Sequence, residues 1–380
     1  MSRQEVAIVG AGIVGLAHAW SAAKRGHRVT VFERTPAACG ASIRNFGMVW
    51  PIGQPAGESY EIALRSRAAW LELAREAGVW VHNCGSIHLA HRADEWAVLS
   101  EFAALAPQLG YSARILTRDE VLQQAPAANP EGLLGGLVSD TELGVNPRTA
   151  IGAIPTWLAS RYGVQFEFET AIRSIDDRQL RSTDGRTWQA NRIVVCGGAD
   201  FETLFPDAFA GAGLKRCKLQ MMRTVAQPEG WRIGPHLASG LTLRHYQNFA
   251  VCQSLGALTQ RIARETPELD RYGIHVMASQ TDRGEVILGD SHEYDAEISP
   301  FDKPVIDDLM LRELRRLIRL PNWTLTERWH GIYAKHPGAP VFMAAPQPRV
   351  TVCAATGGSG MTMSFGLAER FWTEWDVIEG

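Results

Sequence analysis

Apolar and polar positions along this chain follow two rhythms. Short unbroken apolar runs, Glu5-Val6-Ala7-Ile8-Val9 and Arg28-Val29-Thr30-Val31-Phe32, read as strands covered on both faces, the pattern of a parallel sheet. Between them Leu16-Ala17-His18-Ala19-Trp20-Ser21-Ala22-Ala23 favours helix. Two further helical stretches are predicted near Glu58 to Glu76, closed by Gly78, and near Asp94 to Leu109, closed by Gly110, with strand from Val79 to Leu89 between them. Gly163 to Phe168 and Thr170 to Ile175 alternate with the period of two expected of strands. Arg192 to Gly198 is a buried apolar strand ending on two glycines. From about Leu214 to Asp290 the pattern turns strand-rich with longer loops, as for a separate antiparallel sheet. A helix is predicted from Asp302 to Leu320, with Ile306, Leu309, Met310, Leu314, Leu317 and Ile318 as its apolar stripe and Pro321 as its stop. Arg349 to Ala355 is another buried strand, followed by helix through Gly366 to Phe371.

The chemistry sits where strands turn into helices. Gly10-Ala11-Gly12-Ile13-Val14-Gly15 joins the first strand to the first helix. Gly10 permits the tight turn, Gly12 lets backbone approach a pyrophosphate, and Gly15 lets helix pack closely on sheet. The helix N-terminus then faces the phosphates with its positive dipole end. Glu33 lies 18 residues beyond Gly15, near the spacing of roughly 20 for a carboxylate that grips an adenosine ribose. A second glycine-rich strand-to-helix turn, Thr356-Gly357-Gly358-Ser359-Gly360-Met361-Thr362, comes near the other end of the chain. A nicotinamide enzyme needs one such turn. A flavin enzyme uses two, the second placing a helix N-terminus against the pyrimidine end of the isoalloxazine, where it stabilises the charge of reduced flavin.

Composition narrows the class. At 380 residues, two intertwined domains are expected. A net charge of −3 argues against a polyanionic partner such as nucleic acid. Cysteines 39, 84, 196, 217, 252 and 353 are scattered without CxxC spacing, which suits free thiols in a reducing compartment. No apolar run nears the roughly 18 residues of a membrane span, and the first strand starts almost at once, so a cytoplasmic protein is expected. Asp290, His292, Glu293 and Asp295 are metal-ligand types in close sequence, but local carboxylate–imidazole contacts explain them and no metal is expected. Arg312, Arg315, Arg316 and Arg319 read as a solvated helix face, and Lys215, Arg216, Lys218 and Arg223 as a surface patch that could steer an anion.

The two glycine turns, the segment Gly40-Ala41-Ser42 to Gly47-Met48 and the strand Val194 to Gly198 together resemble the glycine oxidase, D-amino acid oxidase and sarcosine oxidase family of FAD enzymes over essentially the whole chain. The resemblance implies an α/β fold: a Rossmann-like FAD-binding domain with an inserted substrate domain built on an antiparallel sheet. It divides the chain into 1–84, 140–213 and 325–380 for FAD, and 85–139 and 214–324 for substrate. It implies that Gly10, Gly12, Ile13, Val14 and Gly15 hold the pyrophosphate, Glu33 the ribose and Arg34 the adenine side. Ser42, Asn45, Gly47 and Met48 would follow the diphosphate and flavin, Ile172 would meet adenine through its backbone, and Gly198 would end the strand beneath the cofactor. Gly358, Ser359, Gly360, Met361 and Thr362 would face the pyrimidine end.

Four phrases resemble a narrower group, the FAD oxidoreductases of bacterial phosphonate catabolism. They are RNFGMVWP (44–51), GLTLRHY (240–246), IHVMASQ (274–280) and GDSHEYD (289–295). Such enzymes act on 2-aminoethylphosphonate or its N-methyl derivative. A hydride passes from the α carbon to flavin N5, and the imine hydrolyses to phosphonoacetaldehyde and ammonia or methylamine. O2 or another acceptor takes the electrons. Two departures from the amino-acid oxidases agree. The arginine they use for the substrate carboxylate, in a Gly-Leu-Arg-Pro phrase, is replaced in Gly331-Ile332-Tyr333-Ala334. The flavin-linking cysteine of sarcosine oxidases is replaced by Gly331 and their lysine by Thr362, so non-covalent FAD is expected. A tetrahedral dianion needs cations, hydroxyls and imidazoles. The candidates are Arg244, His245, Tyr246, His275, Tyr333 and Lys335, with Arg244 and Tyr246 on one face of a strand and His245 on the other. His275, Tyr333 and His336 are the candidates for assisting catalysis. The alternatives are an oxidase or dehydrogenase of glycine, sarcosine or D-amino acids, and a flavin-binding protein without small-amine activity.

Overall fold

The structure, a computed structural model, describes residues 3–354 and 356–379, with side chains in the last helix as far as Trp375. Its strands are β1 (Glu5–Val9), β2 (Arg28–Phe32), β3 (Ser86–Ala90), β4 (Ala113–Thr117), β5 (Gly135–Ser139), β6 (Gln165–Glu167), β7 (Arg192–Val195), β8 (Lys215–Ala226), β9 (His236–Ala238), β10 (Met277–Gln280), β11 (Glu285–Gly289), β12 (Glu293–Asp295), β13 (Leu325–Lys335), β14 (Phe342–Gln347) and β15 (Val350–Ala354), with shorter ones besides. Three helices frame the cofactor region: α1 (Ile13–Lys24), α2 (Glu58–Glu76) and α3 (Gly360–Glu379).

One sheet runs β14-β15-β7-β1-β2-β6. All its pairings are parallel except β14 on β15. The unbroken apolar runs of β1, β7 and β15 sit at its centre, where both faces are covered. The other sheet holds nine strands in the order β12-β8-β11-β10-β9-β3-β5-β4, with β13 pairing along β8. It is antiparallel apart from β9 on β3. Each sheet has its own hydrophobic core.

Helix α3 carries the second glycine turn and is clamped onto α2. A Cβ on Gly366 would stand 2.2 Å from the Ile62 carbonyl oxygen, so the two backbones touch there. Ser66 Oγ accepts from the Gly366 amide, and the buried Trp70 indole donates to the Met361 carbonyl at 2.8 Å. The second turn is thereby held from beneath by long-range contacts.

Several expected elements change. Residues 240–273, expected to extend the strand pattern, form two 3-10 turns and helices Leu255–Glu265 and Pro267–Arg271. Buried Leu258 and Ile262 recur at helical spacing, and Thr242 Oγ donates to Ser239 O to close the first turn. The strand expected from 79 to 89 breaks at Gly85, whose φ is +66°. The helix expected to reach Leu109 stops at Leu105, just before Pro107, and that expected over 302–320 spans Pro304–Leu317. Residues 325–335, assigned with the FAD segments, belong to the antiparallel sheet because β13 pairs with β8 through ten registered positions. Ala355, expected to end the last strand, lies outside the described residues.

His88 sits on β3 between Trp50 and Phe249 with neither ring nitrogen hydrogen-bonded, and burial pulls its pKa down to about 3. His18 is likewise pulled down to about 3, by burial first and by Arg192 second. An imidazole whose folded pKa lies below its unfolded value stabilises the fold fully above the unfolded pKa near 6.5, and that stability drains away as pH falls. For His88 the loss by pH 5 is about 2 kcal/mol. Melting temperature should therefore fall between pH 7 and pH 5, and His88→Phe should make the fall visibly shallower. An equally steep fall in the variant would show that His88 titrates freely in the native state.

Candidate active site

The nucleotide end is built from backbone. Gly10 has φ +104°, and a Cβ there would meet the Cys196 carbonyl oxygen at 2.4 Å. A Cβ on Gly15 would stand 1.8 Å from the Gly10 carbonyl oxygen, so α1 rests directly on the turn. Helix α1 has no acid in its first turn. Ser42 Oγ accepts from the Ile13 amide at 2.9 Å, closing the helix N-terminus with a group that an incoming phosphate oxygen could replace. Glu33 accepts from the Ala11 amide at 3.0 Å and from the Thr35 amide and hydroxyl, so its carboxylate lies at the lip of the turn. Arg34 pairs with Asp200 at 2.7 Å across that lip.

One cavity of about 1250 Å³ connects this end to the second glycine turn. Its walls include Gly10, Gly12 and Glu33 at one extreme and Gly358 to Thr362 at the other. Helix α3 begins at Gly360 and its first residues, Gly360 to Met363, line the cavity, so the amides left unpaired at its N-terminus belong to that wall. A long cleft whose two ends are side-chain-poor helix N-termini fits an extended dinucleotide, and FAD bound there would supply a hydride acceptor.

The far wall belongs to the antiparallel sheet. Registers place Tyr294, Cys217 and Tyr333 abreast on β12, β8 and β13. Burial raises the Tyr333 pKa, with Cys217 and Tyr294 adding to it, so the phenol stays a donor. Burial likewise pushes the Cys217 thiol up to about 12. Lys335 Nζ lies 3.4 Å from the Tyr294 hydroxyl and 5.0 Å from its ring centre. Beside them the backbones of His275 and Asp290 pair reciprocally, at 3.2 and 3.1 Å, and His292 donates its amide to Tyr272. That pairing stacks the rings of His275 and His292 at 4.7 Å, with His245 over His275 at 4.0 Å. Burial lowers all three imidazole pKa values, His292 to about 4, and raises that of Asp290.

Most of the residues expected at the site line this cavity. Among the FAD candidates the exceptions are Gly15 and Gly47, which do not line it. A Cβ on Gly47, at φ +72°, would stand 1.9 Å from the Val145 carbonyl oxygen, so its requirement is packing. Asn45 lines the cavity, but its amide group ties the loop, donating to Ala41 and Ser42 carbonyls and accepting from Gly47. Thr362 Oγ accepts from the Trp50 amide at 2.9 Å. Among the substrate candidates, Arg244 does not line the cavity and its guanidinium pairs with Asp270. Nor do Arg244 and Tyr246 share a strand face opposite His245, because Gly240–Arg244 is a 3-10 turn and no strand. His336 lines the rim, where Nδ1 accepts from the Gly338 amide. Asp290, His292 and Tyr294, outside the substrate candidates, also stand in the wall, and the phrase 289–295 is their signal in the sequence.

A parallel nucleotide-type sheet and an antiparallel sheet sharing one long cavity, with a glycine turn at each end, define a flavin-type oxidoreductase architecture. The chain belongs to the FAD dependent oxidoreductase family, which matches residues 5–371. A glycine oxidase of Geobacillus kaustophilus is 30% identical over 207 residues, 52% of this chain and 55% of that enzyme. The chain thus spans about half the length of that curated relative. An opine oxidase subunit of Rhizobium meliloti is 22% identical over 363 residues, covering 90% of this chain and 85% of that one. The crystal structure of glycine oxidase from Geobacillus kaustophilus superposes with a TM-score of 0.76 at 19% identity, covering 98% of this chain and 94% of that one. These structures share the fold. No helix among the described residues is long and apolar enough to cross a membrane.

Proposed function

We propose that this protein is an FAD-dependent oxidoreductase of small amines bearing an anionic group, with 2-aminoethylphosphonate or its N-methyl derivative as substrate and phosphonoacetaldehyde as product. The observation that carries this reading is a convergence. The four phrases that resemble phosphonate-catabolic enzymes are far apart in sequence, yet each contributes residues to the same cavity: Arg44 and Trp50, His245 and Tyr246, His275 and Met277, Asp290 and Tyr294. Lys335 offers a charge, and Tyr294 and Tyr333 offer hydroxyls, to the anionic end of a substrate lying against the second glycine turn. Met221, Met277 and Trp50 supply the apolar surface that keeps water from the reacting carbon. The wall residues orient a neutral amine, so no strong side-chain base is required. FAD is held non-covalently, since Gly331 brings no nucleophile to the position that would link it. O2 or another acceptor takes the electrons.

The identity to glycine oxidase favours a second reading, a plain amino-acid substrate. Tyr333 in place of the carboxylate-binding arginine argues against it. Anaerobic mixing of the yellow protein with 2-aminoethylphosphonate, its N-methyl form, glycine and sarcosine separates the two. Bleaching by an aminophosphonate at least a hundredfold faster than by glycine or sarcosine is expected. Preference for glycine or sarcosine would establish the second reading, and no bleaching by any amine would overturn both.

A further inference from the structure

We propose that His245, His275 and His292 form a binding site for a divalent transition-metal ion at the substrate end of the cavity, a role independent of the assignment of substrate. One ring nitrogen from each lies within 4.8 Å of the other two. Three imidazoles with an open fourth position are a familiar donor set for zinc or a neighbouring first-row ion, whereas calcium and magnesium take oxygen donors. Ring nitrogens around a four-coordinate ion are about 3.3 Å apart, so the rings, inclined by only 13° and 30° to one another, would turn out of their stack and bring their nitrogens at most about 1.5 Å closer to complete the site.

Two further observations point to a ligand. His275 is 4% exposed, yet its Nδ1 has no hydrogen-bond partner. Buried polar atoms are ordinarily satisfied, so this one marks a group arranged for something else. The second is the support around the rings. His275 Nε2 lies 3.3 Å from Asp290 Oδ1, and His292 Nδ1 lies 3.4 Å from the Gly273 carbonyl. Metal-ligating histidines regularly turn their other nitrogen to a carboxylate or backbone carbonyl, which orients the ring and raises its basicity. Gly273 is itself constrained: its φ is +54°, and a Cβ would stand 2.7 Å from the His292 carbonyl oxygen. All three histidines line the cavity, so the open coordination position would face it.

The test uses untagged, FAD-loaded protein stripped with a chelator and titrated with Co²⁺. Binding of one ion per chain is expected, with ligand-field absorption to the red of the flavin bands. His275→Asn and His292→Asn should each weaken it at least tenfold while the flavin spectrum persists. Should either variant lose FAD, His245→Asn, which lies outside both sheets, carries the same test. No ligand-field absorption in the unsubstituted protein, or equal Co²⁺ affinity in the histidine variants, would overturn the proposal. A colourless protein that still binds Co²⁺ would instead count against the flavin reading.

Discussion

Gly15→Ala is expected to give a protein that binds FAD at least a hundredfold more weakly. A methyl group at this position would lie 1.8 Å from the carbonyl oxygen of Gly10, well inside contact distance. The turn has little room to give, because Gly10 is held at φ +104° with its α carbon packed against the Cys196 backbone, where a Cβ would stand 2.4 Å from the carbonyl oxygen. Helix α1 must therefore lift from the turn, and its N-terminal amides leave the position from which they would meet a pyrophosphate. The overpacking alone costs about 1–3 kcal/mol, and a hundredfold loss of affinity corresponds to about 2.7 kcal/mol. Gly256→Ala is the matched control: it too lies in a helix, but its Cβ would enter open space, so FAD binding should be unchanged. Isothermal titration of the apoprotein with FAD measures both. Equal affinities in the two variants would mean that the first turn does not seat the cofactor.

Lys335→Met is expected to raise KM for an aminophosphonate by roughly 10- to 100-fold, the worth of a hydrogen bond to a charged group. The ammonium lines the cavity at the end of β13, next to the Tyr294 hydroxyl and opposite Lys215 in register. Methionine keeps the stem and removes the charge. Because Lys335 acts on the non-reacting end of the substrate, kcat should change less than KM. For a neutral amine such as sarcosine methyl ester the substitution should be almost silent. A KM for the phosphonate that stays within twofold would remove Lys335 from substrate binding.

What could be read without coordinates follows contact range. The first glycine turn, its helix and Glu33 lie within 33 residues, and each piece carries its own local signal. The second turn was equally readable. Its support was not: the Trp70 indole on the Met361 carbonyl and the Gly366–Ile62 contact join residues about 300 apart. The substrate wall was readable only as phrases. His275 and His292 come together because 275 pairs with 290 and 292 with 272, a register that no periodicity announces, and the turn ending at His245 lays the third ring over His275. Register likewise places β13 in the antiparallel sheet, whereas GLTLRHY departs from the expected strand through a local 3-10 turn that Thr242 closes on the Ser239 carbonyl. Arg244 looked like the natural anion anchor by residue type alone, whereas Asp270, 26 positions on, already holds it.

The most direct measurement is the flavin content of the purified protein before and after acid precipitation. One FAD per chain, released entirely into the supernatant, is the predicted result for a cofactor clasped without a covalent bond between the turns at Gly10–Gly15 and Gly358–Thr362. A protein that is colourless and takes up no added FAD, or a flavin that stays with the precipitate, would contradict the account.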